Sequence, residues 1–196
     1  MTTTDQRDLH REALAAATTH VVRLTDADLT NASACAGWDL ATLLAHMVGQ
    51  HRGFATLLSQ GAAPESAYSP ERFTQTAWQG SVADLISAFA GVDLDRTLVE
   101  IELHPTQPLP VHVLLGAQLL DTVVHTWDLA WGLGERFEPS PALADAVLAI
   151  AEQIPDDDGR ERPGAAFAHA VPSASSGWHR ALALLGRDPA TVGAGG

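Results

Sequence analysis

The sequence contains no lysine; its eleven basic residues are all arginine. That absence removes a Schiff-base lysine, a P-loop lysine and a serine–lysine dyad from the chemistry open to the chain. Together with abundant alanine, the same bias fits a GC-rich genome. Cysteine is nearly absent too. A single Cys35 forbids an intramolecular disulfide and any cysteine-rich zinc site. Flanked by Ala34 and Ala36 with no motif around it, Cys35 reads as a small buried or half-buried loop residue, far from any site. No basic run interrupts a formal net charge of -13, so neither a nucleic-acid footprint nor a patch for an anionic membrane is expected. The stretch from Leu103 to Leu120 lacks formal charge, but Pro105, Pro108 and Pro110 break it, and no transmembrane helix is expected. The N-terminal MTTTDQRDLHRE is polar and unlike a secretory signal, so the expected location is cytoplasmic, where the Asn31-Ala32-Ser33 sequon carries no meaning.

What is present is the composition of a folded domain: 196 residues, 46% hydrophobic and 18% charged. The chain reads as helices joined by loops, without a repeat or a second domain: one domain over 1–190 and a frayed tail at 191–196. Leu9, Ala13, Ala17, Val21 and Leu24 recur at helical spacing over about residues 6–24. Asp39 is a good N-cap for a helix over LATLLAHMVGQHRGFATLLSQ, and Gly61 a good stop. A third helix is expected over SVADLISAFAGV, capped by Ser81. In RTLVEIELHPTQPLP the alternation of apolar residues with glutamate suggests a short extended piece. The longest helix is expected from about Val111 to Leu133, with Gly134 as its C-cap. SPALADAVLAIAEQI, with Pro141 in its first turn, and SSGWHRALALLG complete the set. The pattern predicts an all-α fold: a four-helix bundle with a short extra C-terminal helix.

The long helix poses the functional question. It is apolar almost all round, with Leu119, Leu120, Val123, Val124, Trp127, Leu129 and Ala130, yet it carries Gln118, Asp121, His125 and Asp128. At 3.6 residues per turn these four fall within about 80° of one another. A buried carboxylate without a partner costs several kcal/mol or takes up a proton. The stripe therefore meets solvent or a partner, and a cation is a natural one. The second helix places His46 in an equally apolar run, with Gln50 one turn later. Two readings of the spacing stand. His46 can be a satisfied core histidine and Asp121–His125 a plain i,i+4 hydrogen bond. Alternatively, one histidine from one helix and an Asp-x-x-x-His pair from another form the ligand set of an open metal site in a bundle core.

GWDLATLLAHMVG at 37–49, LLDTVVHTWDLAWGLG at 119–134 and RALALLGRDP at 180–189 resemble the DinB-like superfamily. More narrowly, they resemble the stand-alone actinobacterial relatives of the metal-binding domain of mycothiol-dependent maleylpyruvate isomerase. The resemblance runs in order along nearly the whole chain, and His-x-Trp-Asp-Leu-Ala at 125–130 is its most specific element. It implies a four-helix bundle holding a divalent metal, zinc first, with nickel or iron as alternatives, through His46, Asp121 and His125. It implies mycothiol as a cosubstrate. Two departures accompany it. The isomerase has Glu where this chain has Asp121. It also has an additional C-terminal domain that brings an arginine to the thiol and substrate site, where this sequence ends soon after LLGRDP.

Three functional readings follow from different classes. The first is a metal-dependent, thiol-dependent transferase or isomerase acting on a small electrophile, with a metal-bound water or thiol as the reacting group. The second is a metal-containing protein that binds a small ligand without turnover. The third is a mononuclear Fe(II) oxygenase, disfavoured by the all-helical pattern. In the first, Asp128 is expected to orient a ligand or a bound water, and Gln50 and Gln118 to contact substrate. A homodimer is the expected assembly. His10, His20, His51, His104, His112, His169 and His179 are expected on the surface or in loops, with His112 the one to watch.

Overall fold

The computed structural model of the chain describes residues 3–162, 164–173 and 175–191, with side chains from residue 6 onward. All but Thr191 of the expected tail lies outside these. The described residues form six α-helices and one two-stranded ladder, as the sequence pattern predicts.

Helix α1, Thr3–Val21, buries Leu9, Ala13, Ala17 and Val21, the expected stripe; it ends three residues short of Leu24. Helix α2 is Leu40–Gln60. Its start is fixed by the Asp39 side chain accepting from Thr42 N, and its end by Gly61 in the left-handed region at φ 83°. Helix α3, Gln75–Gly91, begins six residues before the expected Ser81. The cap is Thr74, whose Oγ1 accepts from Ala77 N at 3.0 Å. Gly80, a turn signal in sequence, is overridden by tertiary packing: Trp78 just before it is fully buried and donates from Nε1 to Thr18 Oγ1. The extended piece is a ladder of two residues per strand, β1 Thr97–Leu98 antiparallel to β2 Leu109–Pro110, with Leu98 opposite Leu109. Helix α4 then runs Val111–Gly132. Its end is a Schellman turn: Gly134 N donates to Trp131 O, Glu135 N to Ala130 O, and Gly134 has φ 67°. Helix α5, Pro141–Ala151, is capped by Ser140, and α6 covers Gly177–Leu184.

Helix α4 is the centre of the structure. Helix α1 lies beside it in the same direction, with Gln6 donating to His112 O at one end and His20 meeting Glu135 at the other. Helix α2 runs the opposite way. Its C-terminal Leu57 and Leu58 share a cluster with Val111, Leu114 and Leu115, while its N-terminal Leu40, Leu43 and Leu44 share one with Leu129. A third cluster joins α4 to α5 and α6 through Leu119, Val123, Val147, Ala181 and Leu182. Each such leucine contributes roughly 1.5–3 kcal/mol by leaving water. The backbone held by these layers therefore tolerates polar groups in the middle of α4. No helix among the described residues is long and apolar enough to cross a membrane.

Candidate metal centre

Helices α2 and α4 meet face to face at His46, Asp121 and His125. His125 Nε2 lies 3.3 Å from Asp121 Oδ1, and His46 Nε2 lies 3.9 Å from the same oxygen. The two imidazole rings stand nearly perpendicular, 84° apart, with centroids 5.2 Å apart. One donor atom from each residue lies within 4.8 Å of the other two, the single such group of three among the described residues. Bonds of about 2.0–2.1 Å to a tetrahedral ion place donors about 3.3 Å apart; the Asp121–His125 separation equals that value, and His46 stands slightly farther out, so the trio could hold a divalent cation with a small inward movement of His46. Burial is graded: His125 keeps 8% of its side-chain exposure, His46 24% and Asp121 28%. One side of the trio therefore reaches solvent.

The three groups are strongly coupled in charge. Burial works to raise the pKa of Asp121, but the His125 and His46 imidazoles outweigh it and hold the carboxyl well below the usual range. Burial likewise disfavours a charged His125, yet Asp121 and then Asp128 push its pKa up to about 9. Trp38 covers the histidines, its ring centroid 5.0 Å from that of His46 and 6.2 Å from that of His125.

Asp128 is fully buried against the outer edge of His125, and its Oδ2 accepts from Nδ1 at 2.8 Å. That bond leaves Nε2 facing Asp121 and His46. Asp128 in turn receives Arg187, with Nε 3.2 Å from Oδ1 and Nη2 2.9 Å from Oδ2. Burial alone would raise the Asp128 pKa; Arg187 and His125 reverse it, so the carboxylate stays ionised.

Gln50 and Gln118 fare differently. Gln50 donates to Glu102 Oε2 at 2.8 Å, linking α2 to the loop between β1 and β2. Gln118 is 1% exposed, inside the bundle, and neither amide atom has a hydrogen-bond partner. Burial, more than any neighbour, raises the Glu102 pKa, and His46 and Asp121 both act on this carboxyl.

Four expectations are corrected. His10 and His51 are core residues, each 1% exposed, and His20 is buried at 9%. Two of them bond to distant parts of the chain: His51 to Ser81 on α3, and His20 to Glu135 just past the end of α4. Cys35 is not remote, because the 31–39 loop folds back until Asp128, Asp121 and Arg187 all act on its half-buried thiol, whose pKa is raised first by burial and then by Asp128. His112 stays at the far end of α4 beside Leu94 O and Asp95. Sequence reading missed Arg187, Glu102 and Trp38. Arg187 had one usable signal, its place directly after a helix-ending Gly186, but nothing local connects it to Asp128.

The sequence family described as the mycothiol maleylpyruvate isomerase N-terminal domain matches residues 10–130. Two curated relatives, the uncharacterized proteins Rv0738 and MT0763 of Mycobacterium tuberculosis (strains ATCC 25618 / H37Rv and CDC 1551 / Oshkosh), are each 26% identical over 142 residues. The alignments span 70% of this chain and 72% of theirs. Among solved structures, the fold is similar to mycothiol-dependent maleylpyruvate isomerase (TM-score 0.58, 13% identity). A histidine-to-alanine mutant of that enzyme is also similar (TM-score 0.62, 14% identity). Each covers 78% of this chain and 70% of its own.

Proposed function

The chain belongs to the mycothiol maleylpyruvate isomerase N-terminal domain family, and from that premise we propose that it is a metal-dependent enzyme joining a low-molecular-weight thiol of the mycothiol type to a small electrophile. The observation that carries the reading is the convergence of His46, Asp121 and His125, three nitrogen and oxygen donors from two helices with one side open. His46 and His125 would hold a divalent cation through Nε2, and Asp121 through a carboxylate oxygen. When bound there, a divalent cation lowers the pKa of a water or thiol and polarises a carbonyl. The side chains supply the rest. Asp128 fixes His125 with its Nδ1 proton turned away from the trio, so that Nε2 would offer its lone pair inward once an incoming cation displaces its proton. Trp38 covers the histidine edges and limits water on that side. Gln50 and Glu102 present a hydrogen-bonded amide and carboxyl beside His46, where a substrate hydroxyl or amide can be oriented. Zinc fits the two-histidine, one-carboxylate set, and nickel and iron are the competing ions.

The test starts from protein purified without an affinity tag. Elemental analysis should find about one ion per chain, and H125A should lose it while keeping its helical circular dichroism. Turnover of a panel of epoxides, activated alkenes and maleylpyruvate, with and without mycothiol, should require both the ion and His46. Turnover that is unchanged in H46A rejects the metal mechanism. An ion bound with silence across the panel turns the reading into that of a ligand-binding protein.

A further inference from the structure

We infer that Arg187 is a positioning residue of the metal centre, which fixes His125 through Asp128 and thereby couples the docking of α6 to ion uptake. The inference rests on the metal reading above and extends it to the C-terminal part of the chain. Three observations carry it. First, the same carboxylate oxygen serves both neighbours: Asp128 Oδ2 accepts from His125 Nδ1 at 2.8 Å and from Arg187 Nη2 at 2.9 Å. Any shift of the guanidinium therefore moves the atom that sets the imidazole's orientation. Second, the fork is buried and fully used. Asp128 is 0% exposed and Arg187 7%. Nε and Nη2 grip the carboxylate, Nη1 donates to Leu185 O at 2.9 Å, and the Phe167 ring lies 5.7 Å from the guanidinium carbon. A buried carboxylate without such a cation would be strongly destabilising or protonated. Third, the backbone is shaped to deliver this one side chain. Helix α6 ends in a Schellman turn, with Gly186 N donating to Ala183 O and Arg187 N to Leu182 O, and Gly186 in the left-handed region at φ 77°. A Cβ at position 186 would meet Ala168 Cβ and Ala168 O at 2.8 Å, so the turn is tight against the preceding loop as well. Arg160 closes the arrangement by donating to Ala168 O and Leu184 O, both at 2.7 Å.

An ion pair that merely stapled α6 to α4 would stabilise the fold and leave ion binding alone. A positioning role makes the two events linked: what orders Arg187 strengthens the ion's hold on His125, and the ion in turn protects α6, by reciprocity of coupling free energies. Two measurements separate these cases. Zinc affinity is read by competition with a chromophoric chelator, and amide hydrogen exchange is followed over residues 182–187 with and without zinc. The wild-type chain should bind zinc, and zinc should slow exchange in that segment although it lies on another helix from every proposed ligand. R187M should lose affinity about tenfold or more, the loss typical when a group orienting a ligand is removed, and zinc should no longer protect 182–187. R187K, which keeps the charge without the two-nitrogen fork, should recover part of both. If R187M does not fold, R187K decides by itself: severalfold weaker zinc binding is expected, and wild-type affinity overturns the inference. A folded R187M with wild-type affinity overturns it too, as does zinc protection of 182–187 that survives the substitution. Failure of the wild-type chain to take up zinc instead overturns the metal reading beneath it.

Discussion

The two imidazoles buried in the bundle make stability strongly dependent on pH in a narrow window. His10 and His51 are each 1% exposed, and burial is the chief cause that lowers their pKa values, to about 3 and about 4. Within the fold His51 has a fixed tautomer. Ser81 donates to Trp78 O, so its oxygen accepts from His51 Nδ1, and Nε2 is left bare. In the unfolded chain both rings titrate near 6.5. Lowered histidine pKa values mean that the unfolded state binds more protons below that point, so stability falls as pH falls through 6.5 toward the folded values. Each pKa unit is worth 1.36 kcal/mol, so going from pH 7 to pH 5 costs about 2 kcal/mol per ring, about 4 kcal/mol for both. Against a typical total of about 5–15 kcal/mol this is a large share. One group at the candidate metal centre acts in the opposite sense: the raised pKa of His125 makes its stabilisation grow by about 1 kcal/mol as pH falls from 7 through 6.5, offsetting part of the loss. The depressed carboxyls Asp121 and Asp128 give theirs up only as pH falls below 3.8. The assay is urea denaturation of the chelated protein at pH 7 and pH 5. Wild type should lose about 3 kcal/mol net, and H10Q and H51Q about 1 kcal/mol each, since each removes one titrating ring. A wild-type loss under about 1 kcal/mol, or the same loss in wild type and H51Q, refutes the argument.

Three further outcomes are expected. Chelated protein should keep its helical circular dichroism and melt cooperatively, with zinc raising the melting temperature rather than enabling folding, because the three apolar clusters are built without any of the ligands; a chain unfolded by chelation contradicts this. The Gly53→Ala substitution should cost about 1–3 kcal/mol by urea titration, since a Cβ there runs into the buried Tyr68 ring; a neutral result shows that the ring can move aside. Zinc should change tryptophan emission, and W38F should remove most of that change, because Trp38 sits against both histidines; an unaltered response in W38F assigns it to another indole.

Local chemistry made much of this fold legible. Asp39 and Gly61 bracket α2 because a cap and a left-handed stop act within one turn, and the pattern of α4 declares its burial directly. The face holding Asp121, His125 and Asp128 followed from helical geometry alone. The start of α3 was misread because Gly80 and Ser81 look like a break, and only the seat of Trp78 against Thr18 shows that they are not. His10 and His51 gave no sign of burial, since the groups that surround them come from other helices. The same limit hid Arg187, which stands 59 residues from the carboxylate it grips.

The β1–β2 ladder has a bearing on how such a site diversifies. It pins the two ends of the 99–108 segment immediately before α4, while the segment itself reaches back to α2 through Glu102 and Gln50. The donors of the trio belong to rigid helices, whereas Glu102, whose carboxyl feels the charges of His46 and Asp121, belongs to a loop anchored at its own base. Loops so anchored accept changes of length and composition at small cost. On the metal-enzyme reading proposed above, the 99–108 segment can therefore change while the His46, Asp121 and His125 geometry stays intact, and grafting a relative's segment there should alter which small molecules are accepted without altering ion uptake.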